Sequence, residues 1–167
     1  MSKPKLYLET TIPSYLTARP SRDVVATARQ QLTREWWERE RHNYRIFVSE
    51  VVISEAEEGD PEAARSRIGL IRSFPSLDVD EFIKERAAIL MDEIPLPLKA
   101  ATDALHLAIA ITHEIEYLLT WNCRHLAQAQ VRRRVEEICK MRGWPAPTIC
   151  TPEELSDEDR TVERPGR

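Results

Sequence analysis

Glycine is scarce: the 167 residues include only Gly59, Gly69, Gly143 and Gly166, none near another. Loops that cradle phosphate with backbone N–H groups, of the GxGxxG or GxxxxGK[ST] kind, need clustered residues without Cβ, so nucleotide-fuelled enzymes of those classes are disfavoured. Cysteine is also sparse. Cys123, Cys139 and Cys150 are odd in number and show no CxxC spacing, which argues against a disulfide framework or a zinc ribbon and for reduced structural thiols. No long apolar run occurs. The best stretch, Ala104 to Ile111, is interrupted by His106 and falls far short of the roughly 18–20 residues that span a bilayer. Lys3 and Lys5 are followed by Glu9 before any export-type apolar segment develops, so a cytoplasmic location without membrane association is expected. A basic surplus is missing as well. The formal net charge is -4 and the pI about 5.7, whereas broad contact with phosphate backbones calls for positive surface.

What remains is a soluble globular chain with a busy surface: 31% of residues are charged, against about 25% in ordinary domains. The length suits one compact unit with a real core. We read residues 1–155 as a single domain and 156–167 as a flexible, mixed-charge C-terminal tail with no apolar period.

Short apolar runs alternate with longer helical patterns, as expected of an α/β protein whose parallel sheet is covered on both faces. The expected strands are Leu6–Leu8, Ile46–Val48, Leu77–Val79, Tyr117–Thr120 and Thr148–Cys150. Val25, Ala28, Leu32 and Trp36 recur at helical spacing, which predicts a helix over about Arg22–His42 with that stripe inward. Ser49 is placed to cap a helix ending at Gly59, Asp60-Pro61 to start another, and Thr151-Pro-Glu-Glu154 to open a short last helix through a capping box.

The acids fall in a pattern. Glu9 directly follows the first strand and Asn122 follows the fourth, both at carboxyl ends, the edge where open parallel sheets bind ligands. Asp103 opens the apolar segment Ala100–Ile111. A helix apolar nearly all round is buried, so Asp103 or Thr102 either caps it after the Pro95 and Pro97 breaks, or Asp103 meets a compensating partner such as a divalent metal. Glu50 and Glu55 stand about 140° apart on a helix and do not share a pocket. Glu57 and Glu58 read as solvated surface. His106 and His113, seven apart, read as polar residues satisfied locally. Cys123 and His125 are only half of a zinc-type ligand set.

The segments Leu6-Tyr-Leu-Glu9-Thr-Thr, Val48-Ser-Glu-Val-Val-Ile-Ser-Glu55-Ala-Glu-Glu-Gly59, Ala101-Thr-Asp103-Ala-Leu-His-Leu-Ala108 and Leu119-Thr-Trp-Asn122, in this order, resemble the PIN-domain family, and within it the VapC-type toxins of toxin–antitoxin pairs. The resemblance runs from about Leu6 to Thr151. It implies a three-layer α/β/α fold with a parallel sheet of four to five strands. It also implies a metal-dependent endoribonuclease, an RNA substrate, a cognate antitoxin and a homodimer. Carried over by position, it gives Glu9, Glu55, Asp103 and Asn122 as the metal-holding, catalytic set for Mg²⁺ or Mn²⁺. Two positions depart from the family pattern: Glu9 stands where aspartate is usual, and Asn122 where a fourth carboxylate is common. The alternative is a catalytically impaired PIN-like module that binds RNA or protein.

Phosphodiester hydrolysis with a hard divalent ion fits these oxygen donors. Three formal negatives would hold one ion firmly, and a second only with substrate phosphate present. Thr10 and Thr120 are supporting hydroxyls, or strand-end residues bonding their own backbone. Arg124, with Arg19 and Arg22, supplies positive charge near the proposed edge, while Arg132-Arg-Arg134 reads as an ordinary solvated helix face. Trp121 either stacks a base or packs, and Trp36 and Trp37 read as core and helix-packing or dimer residues.

Overall fold

The computed structural model describes residues 2–94 and 100–157. The prolines at 95 and 97 and the tail beyond 157 lie outside these described residues. The chain runs β1 (Lys5–Leu8), α1 (Thr11–Thr17), α2 (Val24–Arg39), β2 (Arg45–Ser49), α3 (Glu50–Ala56), α4 (Pro61–Ile71), β3 (Ser76–Leu77), α5 (Glu81–Glu93), α6 (Ala101–Thr112), β4 (Tyr117–Leu119), α7 (Ala129–Arg142) and β5 (Thr148–Cys150). The strands form one sheet in the order β3-β2-β1-β4-β5, and every pairing is parallel.

The central strand shows why the sheet must be covered twice. Consecutive residues of a strand face opposite ways, yet Leu6, Tyr7 and Leu8 are all fully buried. Helices therefore lie on both faces, as parallel sheets require. β1 pairs with β2 on one side and β4 on the other, so the chain reverses its direction of travel across the sheet between β1 and β4. Ligand crevices of open α/β sheets form outside the carboxyl ends at such a switch point.

Short-range chemistry sets the boundaries. Asp23, Ser49, Asp60, Asp80 and Gln128 each accept a hydrogen bond from the backbone N–H three residues on, at 2.8–3.2 Å, closing the first turns of α2, α3, α4, α5 and α7. Gly143 takes a left-handed conformation, φ 65°, directly after α7, where a side chain would be strained. α6 is the buried helix anticipated from its composition: Ala104 and every residue from His106 to Ile111 are inaccessible.

Three expectations need correction. The inward face of α2 is Gln30, Thr33 and Trp36, while Val25 is 58% exposed and Ala28 is exposed. Polar partners decide this: Gln30 binds the Arg19 carbonyl and the Ser21 N–H, and Thr33 accepts from the Trp121 indole at 2.7 Å. The third strand begins one residue earlier and ends two residues earlier than the apolar run suggested, because only Ser76 and Leu77 are in register with Val48 and Ser49. After β5 the capping-box bonds between Thr151 and Glu154 do form, but only turns follow them through Leu155. Glu154 is also held by both guanidinium nitrogens of Arg132, so the segment is pinned to α7 without propagating a helix. Among the described residues, no helix is long and apolar enough to cross a membrane.

Candidate metal centre

The register of β1 and β4 places Leu8 opposite Leu119, so the next residues, Glu9 and Thr120, meet across the switch point. Their backbones continue the ladder, with the Glu9 N–H bonded to the Leu119 carbonyl at 3.1 Å and the Thr120 N–H to the Cys150 carbonyl at 3.0 Å. The Thr120 hydroxyl donates to Glu9 Oε2 at 2.8 Å. The Thr11 N–H donates to the same oxygen at 3.0 Å, and the Thr11 hydroxyl adds a third bond. All three land on Oε2, and Glu9 is only 4% exposed. Burial pushes the Glu9 carboxyl above its ordinary range, although His106 and these threonine donors oppose the shift. A buried carboxylate is costly unless donors or a cation compensate it, and here the threonine donors and the nearby His106 do so in part.

Glu55 reaches the same place from α3. Its Oε1 accepts from the Thr10 hydroxyl at 2.7 Å and lies 2.7 Å from His106 Nε2. Burial raises the Glu55 carboxyl, but the His106 hydrogen bond and charge, with the Thr10 hydroxyl, outweigh it and the net shift is downward. Burial lowers the His106 imidazole, yet the hydrogen bond to Glu55 and the charges of Glu9, Glu55 and Asp103 turn the net shift upward. Ligand-capable atoms of Glu9, Glu55 and His106 all lie within 4.8 Å of one another.

Behind the imidazole runs a buried polar chain. His106 Nδ1 is 2.6 Å from the Tyr7 hydroxyl, which is 2.7 Å from Ser49 Oγ, which accepts from the Val52 N–H at 3.2 Å. Burial, with the charges of Glu9 and Glu55, raises Tyr7 well above the usual phenol range against the Ser49 hydrogen bond, so it stands there as a neutral hydroxyl.

Asp103 sits one turn before His106 on the same face of α6, but both of its oxygens are engaged by the segment after β4. Oδ1 accepts from Asn122 Nδ2 at 3.0 Å, and Oδ2 lies 2.7 Å from His125 Nδ1. Asn122 Oδ1 in turn accepts from the His125 N–H at 3.1 Å. The four sequence-predicted residues thus fall into two neighbouring groups: Glu9 and Glu55 with His106, and Asp103 and Asn122 with His125. Among the described residues, no lysine or arginine forms an ion pair with Glu9, Glu55 or Asp103.

The supporting residues separate. Thr10 and Thr120 give their hydroxyls to Glu55 and Glu9 and not to their own backbone carbonyls. Arg124 is exposed, as are Arg19 and Arg22. Arg132, Arg133 and Arg134 pair with Glu154 and Glu137, so their positive charge is largely neutralised. Trp121 is 6% exposed. Tyr15 meets its ring edge-on, and the Arg29 guanidinium lies 5.3 Å from its centroid. Its faces are used for packing.

Sequence reasoning missed His106, His125, Tyr7 and Ser49. The signal for His106 is its spacing of three from Asp103, which places both on one helix face. Its partners are also not local, since Tyr7 is 99 positions away. His125 is marked by Asn122, three residues earlier, because an Asn side chain commonly accepts from a backbone N–H a few residues on.

No protein-family model matches the chain, and no curated protein matches it. Solved structures share its fold. VapC20 from Mycobacterium tuberculosis, a toxin that cleaves the sarcin–ricin loop, superposes with a TM-score of 0.54 at 15% identity, over 68% of this chain and 87% of that one. VapBC2 from Rickettsia felis, crystallised on a DNA fragment from its promoter, gives a TM-score of 0.54 at 16% identity, over 87% of this chain and 97% of that one. At such identities the likeness is one of fold.

Proposed function

We propose that this chain is a metal-dependent endoribonuclease, the toxin of a toxin–antitoxin pair, hydrolysing RNA phosphodiester bonds with Mg²⁺ or Mn²⁺. One observation carries the reading: Glu9 and Glu55 converge with His106 at the carboxyl ends of the central strands, with no lysine or arginine paired to them among the described residues, in a fold shared with a toxin that cuts RNA. The donor set fits a divalent ion. It offers anionic oxygens and an imidazole, with a buried negative charge left to compensate. When bound, such a cation neutralises developing charge on the phosphate and activates the attacking water.

The chain's own residues prepare that site. Thr11 and Thr120 fix one Glu9 oxygen and leave the other toward Glu55 and His106. Thr10 holds Glu55. Asp103, Asn122 and His125 lie beside this group, where a phosphate-bearing substrate would pass. Exposed Arg19, Arg22 and Arg124 offer local positive charge on a chain whose net charge is -4. A small antitoxin protein and a second copy of the chain are the expected partners.

The test is cleavage of RNA by the purified protein with Mg²⁺ or Mn²⁺, with EDTA, and with Glu9→Gln and Asp103→Asn. Cleavage that needs the ion and fails in Glu9→Gln supports the reading. Equal cleavage by wild type and both variants overturns it. A second reading, a PIN-like module that binds RNA or protein without turnover, is favoured by the neutral Asn122 and by the engagement of both Asp103 oxygens. It predicts RNA binding without cleavage, and no Mn²⁺-dependent rise in melting temperature.

A further inference from the structure

A carboxylate-only site and a site that includes an imidazole differ in the ion they prefer. Mg²⁺ binds oxygen, keeps much of its water and gains little from nitrogen, whereas imidazole suits first-row transition ions. The identity of the third ligand beside Glu9 and Glu55 therefore decides metal choice. Asp103 and Asn122 turn to each other and to His125, whereas the ligand atoms brought within 4.8 Å of one another are those of Glu9, Glu55 and His106. His106 is fully buried, and its Nε2 is aimed at Glu55.

We propose that His106 Nε2 is a metal ligand, completing a nitrogen-containing set with Glu9 and Glu55, and that the site selects Mn²⁺ or a related first-row transition ion over Mg²⁺. This rests on the reading of the centre as metal-binding, but not on its being a ribonuclease. The spacing is right. Two ligands about 2.2 Å from a shared ion stand at most about 4.4 Å apart, and the three groups already lie within 4.8 Å, so closure takes a few tenths of an ångström. The surroundings are right as well. Histidines that bind metals usually pass their other ring N–H to a fixed acceptor, which sets the tautomer. Here Nδ1 lies 2.6 Å from the Tyr7 hydroxyl, which lies 2.7 Å from Ser49 Oγ, itself anchored by the Val52 N–H. All of Tyr7 and Ser49 is inaccessible, so water does not compete for Nδ1. Tyr7 and Ser49 are positioning residues: they hold the ring so that Nε2 faces Glu55 and Glu9, and an ion bound there takes the place of the Nε2 proton now shared with Glu55.

The experiment measures binding and not turnover. Mn²⁺ and Mg²⁺ affinities are determined by calorimetry on the full chain, and the Mn²⁺ complex is examined by electron–nuclear double resonance. The wild type should bind Mn²⁺ far more tightly than Mg²⁺ and show coupling to a ¹⁴N nucleus. His106→Gln should lose about tenfold or more in Mn²⁺ affinity with little change for Mg²⁺, so the ratio of the two approaches one, and Tyr7→Phe should lose about tenfold for Mn²⁺. Absence of ¹⁴N coupling in the wild-type complex, or equal affinity for the two ions, overturns the proposal even if His106→Gln fails to fold. Unchanged Mn²⁺ affinity in Tyr7→Phe overturns the positioning role. A protein that binds Mn²⁺ through nitrogen yet leaves RNA intact keeps this inference and sinks the ribonuclease reading.

Discussion

Glu9 shows how a single residue can trade stability for a site. Its carboxyl is raised by burial first of all, so in the metal-free protein its ionisation opposes folding. The stability it contributes is complete below the unfolded-state value and is lost as pH rises through the higher folded-state value. Glu9→Gln keeps an oxygen for Thr11 and Thr120 and removes the charge. The metal-free variant should therefore melt higher than wild type at neutral pH, by a few degrees for each ~1 kcal/mol gained in a chain of this size, and should lose the stabilisation that divalent ions give the wild type. Differential scanning calorimetry with and without Mn²⁺ checks both halves; a lower metal-free melting temperature would mean that the carboxylate is stabilising as it stands. Much at this scale was legible. Glu9 was readable because it directly follows an apolar run whose end is a sheet edge, whereas Glu55, inside α3, was picked out only through the family resemblance. His106 was not, because what distinguishes it from an ordinary core histidine is contact with Tyr7 and Glu55, 99 and 51 positions away, and helical spacing carries no information about such partners.

Elements were legible to the extent that their causes are local. Caps such as Asp60 and Ser49 act within three residues, and both appear where the sequence places them. α2 was found, and Trp36 does face inward with Leu32 against the core, but Gln30 and Thr33 replace Val25 and Ala28 in the buried stripe because they depend on Arg19 and Trp121, which belong to other elements. The segment after β5 combines both cases. Its local bonds form, and the ion pair to α7 fixes its place. The Arg132 hydrogen bonds are the first cause that lowers the Glu154 carboxyl. That stabilisation is present above the ordinary glutamate value and is lost as pH falls through the lower folded-state value. Glu154→Gln should therefore be less stable than wild type at neutral pH, converge with it in acid, and so flatten the acid limb of the stability–pH curve. The pair is partly exposed, with Glu154 45% accessible, so the effect stays below about 1 kcal/mol. Urea titrations at matched pH values measure it, and an unchanged acid limb would show that the pair is screened out.

For the whole molecule, the sheet order was within reach only through the family resemblance, because periodicity finds strands and not their neighbours. At the proposed site, cation binding would belong to the folded state alone, since Glu9 follows β1, Glu55 lies on α3 and His106 on α6. Ligands that bind only the native form stabilise by mass action, about 2.7 kcal/mol at one hundred times the dissociation constant. The melting temperature should thus rise steadily with Mn²⁺ concentration and return to its starting value with EDTA. A shift that saturates at once or survives EDTA would point to binding elsewhere.

The pairing of Glu9 with Thr120 spans 111 positions, and that distance bears on kinetics. Closing so long a loop dominates the time needed to fold, and an ion gains no grip until the loop has closed. A cation bound at the proposed site would therefore be a latch and not a template: interactions made after the rate-limiting barrier slow escape from the native basin without hastening entry into it. Stopped-flow traces should show Mn²⁺ depressing the unfolding limb while the refolding limb stays where it is.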